Sequence, residues 1–364
     1  MLRTALIGFP SSGKSTLFQL MTSHHEASRP GHGKLEAVIG MARVPDVRVD
    51  RLAALYRPKK KTPATVEFAD LAGQGRSGAQ ALLDVAPYRN ADALVHVVRS
   101  FRDPSVTHHA EAIDPAADAQ AMDDELLLAD LAVTEKRLER IDRDLKKGRT
   151  SELERERALI LRCKDSLENG LPIRGLAMTD DERKMLRGFQ FLSAKPLLLV
   201  VNLDDADTAL LADPTRAAEA AGLIPFLSRA STGVVAVCAR IELEIGQLDA
   251  ADAQAFLADL GLAESGVDRV IRTTYDLLGY ISFLTAGEDE CRAWSIPRGT
   301  QAQAAAGEIH SDIARGFIRA EVVRFEDLIA RGSLAICREH GEVRLEGKEY
   351  VVQDGDVINF RFAT

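Results

Sequence analysis

The feature that most constrains the fold is a glycine-bounded loop near the start of the chain, Gly-Phe-Pro-Ser-Ser-Gly-Lys-Ser at residues 8–15. A short apolar run, residues 4–7, precedes the loop, and residues 16–20 after it are typical of a helix. This order of strand, loop and helix is the context in which a G-x-x-x-x-G-K-S sequence forms a phosphate-binding P-loop. Because the motif is matched in full and its flanks fit, we prefer this interpretation to a chance glycine-rich turn.

The P-loop predicts a chemical role for its residues. Its glycines let the backbone curl so that successive N–H groups face inward, and the helix N-terminus adds its positive dipole end. Lys14 can then reach the β- and γ-phosphates and stabilise charge there as a catalytic residue, while the Ser15 hydroxyl can bind Mg²⁺. The predicted nucleotide-binding residues of the loop are Pro10, Ser11, Ser12, Gly13, Lys14, Ser15 and Thr16.

Composition is that of a soluble globular protein of two or three domains. The chain has 364 residues, of which 46% are hydrophobic and 28% charged, as is ordinary for such proteins. No apolar run approaches the length that crosses a bilayer, and the N-terminus has no signal-peptide pattern. The four cysteines are far apart and lack C-x-x-C spacing, so we predict a cytoplasmic protein without a zinc site or a disulfide framework.

The charge balance restricts the partners that the chain can bind. A formal net charge of −9 argues against broad electrostatic binding to nucleic acid. One dense basic cluster, residues 57–61, stands out, and we interpret it as a solvated loop. We therefore expect no DNA partner, no membrane association and a monomer, with any RNA contact confined to a local patch.

A second predicted strand, residues 65–70, ends in the D-x-x-G sequence of a Walker B motif. Such an aspartate holds Mg²⁺, and the N–H of such a glycine meets the γ-phosphate. D-x-x-G alone is common in turns, but at the end of a strand that follows a P-loop it becomes specific. We assign Ser15 and Asp70 to a magnesium site and Gly73 to nucleotide binding.

Further apolar runs predict the rest of a mostly parallel sheet, with strands at residues 93–98, 195–202 and 234–239. Between them, residues 123–170 repeat leucine or isoleucine every seven positions among many charged residues. This repeat predicts two antiparallel helices in a coiled coil inserted into the α/β domain. The predicted domains are 1–122 with 190–280 for nucleotide binding, 123–189 for the helical insertion and 281–364 for a small α+β module.

The predicted base-binding residues lie at the carboxyl ends of the last two strands. Asn-Leu-Asp-Asp at residues 202–205 follows a buried strand, where a nucleotide-binding sheet presents base-reading side chains. The residues assigned to the nucleotide there are Asn202, Leu203, Asp205, Cys238 and Ala239.

With these motifs in hand, the chain resembles the YchF group of Obg-like P-loop NTPases, in the TRAFAC GTPase class, along almost its full length. The most specific segments are Phe-Leu-Thr-Ala-Gly at 283–287, Arg-Ala-Trp at 292–294, Ile-His-Ser-Asp at 309–312, Gly-Phe-Ile-Arg-Ala at 316–320 and Gly-Lys-Glu-Tyr-Val-Val-Gln-Asp-Gly-Asp-Val at 347–357. The resemblance implies an α/β P-loop domain with an inserted coiled coil and a C-terminal TGS domain of the β-grasp fold. It also implies a nucleotide-switched protein that contacts the ribosome or RNA.

Three positions bear on how such a protein would hydrolyse a nucleotide. The family's first switch carries a threonine that can bind Mg²⁺, and this chain has Lys34 in its place. Gln74 follows the D-x-x-G sequence, where Ras-type GTPases keep a water-orienting glutamine. The resemblance also places His108 at a histidine implicated in the family. Gln74 and His108 are therefore alternatives for positioning the attacking water.

The sequence also leaves open whether the bound nucleotide carries guanine or adenine. Residues 202–205 lack the lysine of the GTPase Asn-Lys-x-Asp motif but keep its aspartate, where YchF-type proteins often have glutamate. Facing adenine, the Asp205 carboxylate would stay poorly paired at a cost of about 1–3 kcal/mol. Asp205 thus favours GTP, whereas the resemblance favours ATP.

The sequence therefore predicts a magnesium-dependent P-loop NTPase that hydrolyses GTP or ATP by in-line attack of water. The alternative is a nucleotide-dependent adaptor on the ribosome or RNA that hydrolyses poorly or not at all. Lys34 in the first switch is the feature that favours this alternative.

Overall fold

This computed structural model describes residues 2–22, 38–70, 86–106 and 112–363. The chain forms two compact units. The first contains the described residues of Met1–Ala42 and Glu67–Leu277, and the second contains Arg43–Val66 with the described residues of Leu278–Thr364. No feature of the sequence indicated that residues 43–66 join the C-terminal unit.

Strands and helices of the described residues are as follows. The strands are β1 (Arg3–Ile7), β2 (Val38–Arg43), β3 (Lys60–Thr62), β4 (Thr65–Asp70), β5 (Ala93–Arg99), β6 (Leu197–Asn202), β7 (Thr232–Val237), β8 (Tyr280–Thr285), β9 (Glu290–Pro297), β10 (Phe317–Arg324), β11 (Arg344–Glu346) and β12 (Asp356–Phe362). The α-helices are α1 (Lys14–Thr22), α2 (Val47–Tyr56), α3 (Ala86–Asn90), α4 (Pro115–Lys147), α5 (Ser151–Glu168), α6 (Asp180–Leu186), α7 (Pro214–Ala220), α8 (Ile224–Leu227), α9 (Ala239–Ile245), α10 (Ala250–Asp259), α11 (Gly266–Leu277), α12 (Ala302–Ile309), α13 (Ser311–Arg315), α14 (Phe325–Arg331) and α15 (Leu334–Glu339).

The first unit is organised by a six-stranded sheet in the order β2-β4-β1-β5-β6-β7. The pairs β1–β4, β1–β5, β5–β6 and β6–β7 are parallel. Every residue of β5 and β6 is buried, which explains their nearly continuous apolar sequences. The α/β fold with a parallel sheet is confirmed, and the carboxyl ends of its central strands meet at one edge.

Helices α4 and α5 form the antiparallel pair that the seven-residue repeat predicted. Asp114 caps the start of α4 by accepting a hydrogen bond from the N–H of Ala117, with proline at the first helical position. Leu138 and Ile141 of α4 pack in one buried cluster with Ile160 of α5. The first turns of α4 instead pack in the core of the parallel sheet. Helix α4 runs without a break from the core of the parallel sheet into the core of the helical pair. No helix end therefore marks the domain boundary at residue 123, which stays a prediction.

Buried carboxylates join α4 to segments outside the sheet strands. Asp123 of α4 contacts the guanidinium groups of both Arg174 and Arg229. The side chains of Asp123 and Arg174 are only 2% and 1% exposed. Two turns further along the helix, the buried carboxylate of Asp130 accepts hydrogen bonds from the backbone N–H groups of Leu192 and Ser193 at 2.9 and 2.7 Å. Charges buried to this extent depend on their partners for stability.

The second unit has a mixed six-stranded sheet in the order β11-β10-β12-β8-β9-β3. Its apolar core includes Phe283, Phe317 and Phe360 together with alanines of α12. The predicted α+β class of this module is therefore confirmed. No helix of the described residues is long and apolar enough to cross a membrane.

Two segments of this unit differ from what their local sequence predicts. The sequence of residues 300–313 is typical of a single helix, but that helix is broken at His310, whose extended backbone ends α12 and caps α13. The sequence of residues 349–352 is typical of a strand, but these residues do not form one, and Val351 makes only an isolated bridge to Gln301.

The basic cluster at residues 57–61 is likewise not simply a solvated loop. Residues 60–62 form β3, which pairs in parallel with β9 at the edge of the sheet. Lys59, Lys60 and Lys61 each form an ion pair with a carboxylate of the same unit. Because β3 depends on a strand more than 200 residues away, local sequence could not indicate it.

Candidate functional site

The loop between β1 and α1 has two positions that only glycine fits. Gly8 has φ of +138°, and a Cβ there would lie 2.5 Å from the carbonyl oxygen of Val97. Gly13 has φ of +97°, and a Cβ there would lie 2.3 Å from the amide nitrogen of Asn202. The two glycines of the motif therefore let the loop turn tightly and lie directly against the ends of β5 and β6.

Lys14 at the start of α1 folds back over this loop. Its Nζ donates hydrogen bonds to the carbonyl oxygens of Gly8 at 2.7 Å and Phe9 at 3.1 Å. Burial lowers the pKa of the Lys14 ammonium, and the negative charge of Asp70 partly offsets that effect. A cation held at the mouth of a turn of backbone N–H groups is suited to bind an anion.

Ser15, in the first turn of α1, meets Asp70, which is the last residue of β4. The Ser15 hydroxyl donates a hydrogen bond to Asp70 Oδ2 at 2.7 Å. Asp70 is 2% exposed, and its Oδ1 is buried without a hydrogen-bond partner among the residues that the structure describes. A buried carboxylate oxygen of this kind is costly unless something binds it, so the pair is suited to a cation.

Asn202 at the end of β6 ties the loop to the start of α9, the helix that follows β7. Its Nδ2 donates to the carbonyl oxygen of Ser12 at 3.0 Å, and its Oδ1 accepts from the N–H of Ala239 at 3.0 Å. Asn202 is 3% exposed. Its side chain thus joins the end of β6, the loop before α1 and the start of α9, which is a positioning role.

A pocket of about 250 Å³ opens beside this asparagine. Seven of the residues assigned from sequence line it: Gly13, Thr16, Asn202, Leu203, Asp205, Cys238 and Ala239. Six further residues line it that were not assigned from the sequence: Phe101, Arg102, Asp103, Asp204, Arg240 and Leu243. Most of these follow β5, β6 or β7 directly, so the rule that ligands bind at the carboxyl edge of a parallel sheet could have found them.

A buried arginine shapes the side of the pocket that follows β5. Arg99 is 2% exposed, and its guanidinium donates to the carbonyl oxygens of Phe101 and Val106 at 3.3 and 3.1 Å. It also lies 4.5 Å from the centre of the Phe101 ring. The N–H of Arg102 in turn donates to Asp204 at 2.9 Å. The loop that carries Phe101 is therefore fixed against the residues that follow β6.

The other residues predicted from sequence do not line this pocket or lie outside the described residues. Gly73, Gln74 and His108 lie outside the described residues, as does Lys34. Pro10 and Ser11 are described and exposed, but they do not line the pocket. The assignments of Gly73, Gln74 and His108 stay predictions.

His96, in β5 beside the loop, predicts a pH dependence of stability. Burial, and then the charge of Lys14, lowers its pKa from 6.5 to about 3. Between these two values the unfolded chain takes up a proton that the folded chain does not, so stability falls as the pH drops below 6.5 and is unaffected above it. At pH 5 the loss from this group is about 2 kcal/mol.

Urea unfolding at pH 7 and pH 5 measures this effect. We expect the wild type to lose more stability between the two pH values than the His96→Gln variant, because only the wild type carries the imidazole. Equal losses in the two proteins would show that His96 is not held neutral by the fold.

Comparisons with known proteins give the following similarities. Residues 280–363 match the family YchF-GTPase_C, described as "Protein of unknown function (DUF933)". The chain is 40% identical over 366 residues to "Ribosome-binding ATPase YchF" of Bacillus subtilis (strain 168), with 99% of each chain covered. It is 36% identical over 367 residues to the protein of the same name from Escherichia coli O157:H7, again with 99% of each covered. Among solved structures, "Structure of the Schizosaccharomyces pombe YchF GTPase" superposes with a TM-score of 0.81 at 27% identity, covering 99% of this chain and 97% of that one.

Proposed function

Because this chain belongs to the YchF family, we propose that it is a magnesium-dependent P-loop NTPase that hydrolyses ATP or GTP in association with the ribosome. The bacterial relatives are named ribosome-binding ATPases, and the fission-yeast relative is called a GTPase. We propose a cytoplasmic location for the same reason. The single observation that carries the catalytic part is the contact of Ser15 with the buried carboxylate of Asp70.

The oxygen atoms at this contact fit Mg²⁺. Magnesium prefers oxygen ligands and is usually held by one or two protein groups together with phosphates and water. The Ser15 hydroxyl and Asp70 would hold it, and Asp70 Oδ1 is the buried oxygen that has no partner among the described residues. When bound, Mg²⁺ neutralises charge that develops on the phosphates.

The remaining residues would bind and orient the nucleotide. Backbone N–H groups of residues 11–15 would bind the phosphates, and Lys14 would exchange its contacts with Gly8 and Phe9 for phosphate oxygens. Asn202 would position the loop beside the base pocket through its hydrogen bonds to Ser12 and Ala239. Gln74 or His108 would position the attacking water. Catalysis would then come from positioning and electrostatic stabilisation, without a covalent intermediate.

The magnesium assignment is tested by Asp70→Asn. We expect the Mg²⁺ concentration that gives half-maximal phosphate release to rise at least about tenfold, because the amide cannot supply a negative oxygen ligand. Asp289→Asn is the matched control, since that exposed carboxylate pairs with Lys59 in the second unit. An unchanged magnesium requirement in Asp70→Asn would refute the assignment.

A further inference from the structure

An ion pair lies at the base pocket, between two residues that line it. Arg240 Nη1 lies 2.9 Å from Asp205 Oδ2, and both residues line the pocket. The last residues of β6 and β7, Asn202 and Val237, are register partners. Each charged residue follows its strand end by three positions, so the parallel pairing of β6 and β7 brings them to one edge.

Asp205 is a pocket carboxylate whose side-chain partner can move aside. The neighbouring Asp204 accepts hydrogen bonds from the backbone N–H groups of Arg102 and Ala206, one on each oxygen. Asp205 is instead paired with a side chain, and that side chain is 74% exposed. An exposed arginine can move aside for a ligand, whereas backbone groups cannot.

The two purines differ in what they offer such a carboxylate. Guanine presents its N1–H and 2-amino group as two adjacent donors, and adenine lacks this donor pair. A free aspartate therefore favours guanine, because adenine leaves a carboxylate that is desolvated and unpaired. A carboxylate that is paired with a guanidinium is not left unpaired when adenine binds, so adenine then carries no such penalty.

We propose that Arg240 is a base-specificity residue, which acts by pairing with Asp205 so that the pocket accepts adenine as well as guanine. The inference rests on the proposed function, since it concerns the base of the same nucleotide. Arg240 does not reach the phosphates in this role and acts only through Asp205. In water the exposed pair is weak, but a bound base that covers it strengthens the attraction between the two charges.

Equilibrium binding of ADP and GDP labelled on the ribose tests the proposal, because diphosphates are not hydrolysed and the label leaves the base free. Four proteins are compared: wild type, Arg240→Ala, Asp205→Asn and the double variant. We expect wild type to bind the two nucleotides with affinities within about tenfold of each other. Arg240→Ala should shift the affinity ratio towards GDP by about fivefold, whereas in the Asp205→Asn background the same change should not shift it.

Arg216→Ala is the matched control, because it removes an exposed arginine of α7 that does not line the pocket. The proposal is overturned if Arg240→Ala leaves the ratio unchanged, shifts it towards ADP, or shifts it equally in the Asp205→Asn background. Failure of the proposed function looks different: the wild type would then bind neither nucleotide.

Discussion

Replacing Lys14 by alanine is expected to lower the rate of phosphate release from ATP or GTP by at least about 100-fold. The Lys14 ammonium lies over the loop, within hydrogen-bond distance of two of its carbonyl oxygens. We therefore propose that this cation balances the negative charge of the transferred phosphoryl group. The alanine variant keeps the glycines that shape the loop but removes the positive charge of the ammonium group. Steady-state phosphate release at saturating nucleotide and Mg²⁺ measures the effect.

Lys184→Ala is the control for removing one lysine from the same unit, since Lys184 is exposed and paired only with the neighbouring, exposed Asp181 among the ion pairs of the described residues. Its rate should match that of the wild type. If Lys14→Ala retains more than about a tenth of the wild-type rate, the lysine does not have the catalytic role assigned to it.

Replacing Asp123 by alanine is expected to lower the free energy of unfolding by about 3–5 kcal/mol. The variant leaves Arg174, which is 1% exposed, without the carboxylate that compensates its charge. Burial already lowers the pKa of Arg174, so the environment opposes the charged form once the partner is lost. Denaturant unfolding followed by circular dichroism measures the loss.

Asp142→Ala provides the matched control on the same helix. Its partner is Arg157, and both side chains are substantially exposed, so the loss should be no more than about 1 kcal/mol. Similar losses in the two variants would contradict the account of Asp123 as a buried charge that needs its partners.

The parts of the molecule that local sequence determines were predictable. Residues 8–15 carry both glycines that the backbone requires, and the motif places Ser15 beside Asp70 although they are far apart in the chain. The strand at 65–70 is also recognisable from its alternating apolar positions. The strand at 197–202 is recognisable because a fully buried parallel strand needs continuous apolar residues. In each case the physical constraint acts within one short segment.

The parts that depend on distant partners were not predictable. Strand β3 is formed by three residues whose stability comes from pairing with β9. Arg240 and Phe101 line the pocket because three parallel strands end at the same edge. The rule for that edge indicates the segments that follow the strands, but the sequence around Arg240 and Phe101 does not show which side chains line the pocket. The pairing of Arg240 with Asp205 likewise changes what the aspartate can recognise, so the motif at 202–205 alone does not decide the base.

The most direct test of the central claim is phosphate release by the purified wild-type protein, with ATP or GTP, in the presence of Mg²⁺ or of EDTA. Nucleotide binding is measured in parallel. The account predicts slow release of phosphate that requires Mg²⁺ and saturates with nucleotide. A protein that binds nucleotide but releases no more phosphate than the buffer would contradict it and would support the non-hydrolysing adaptor instead.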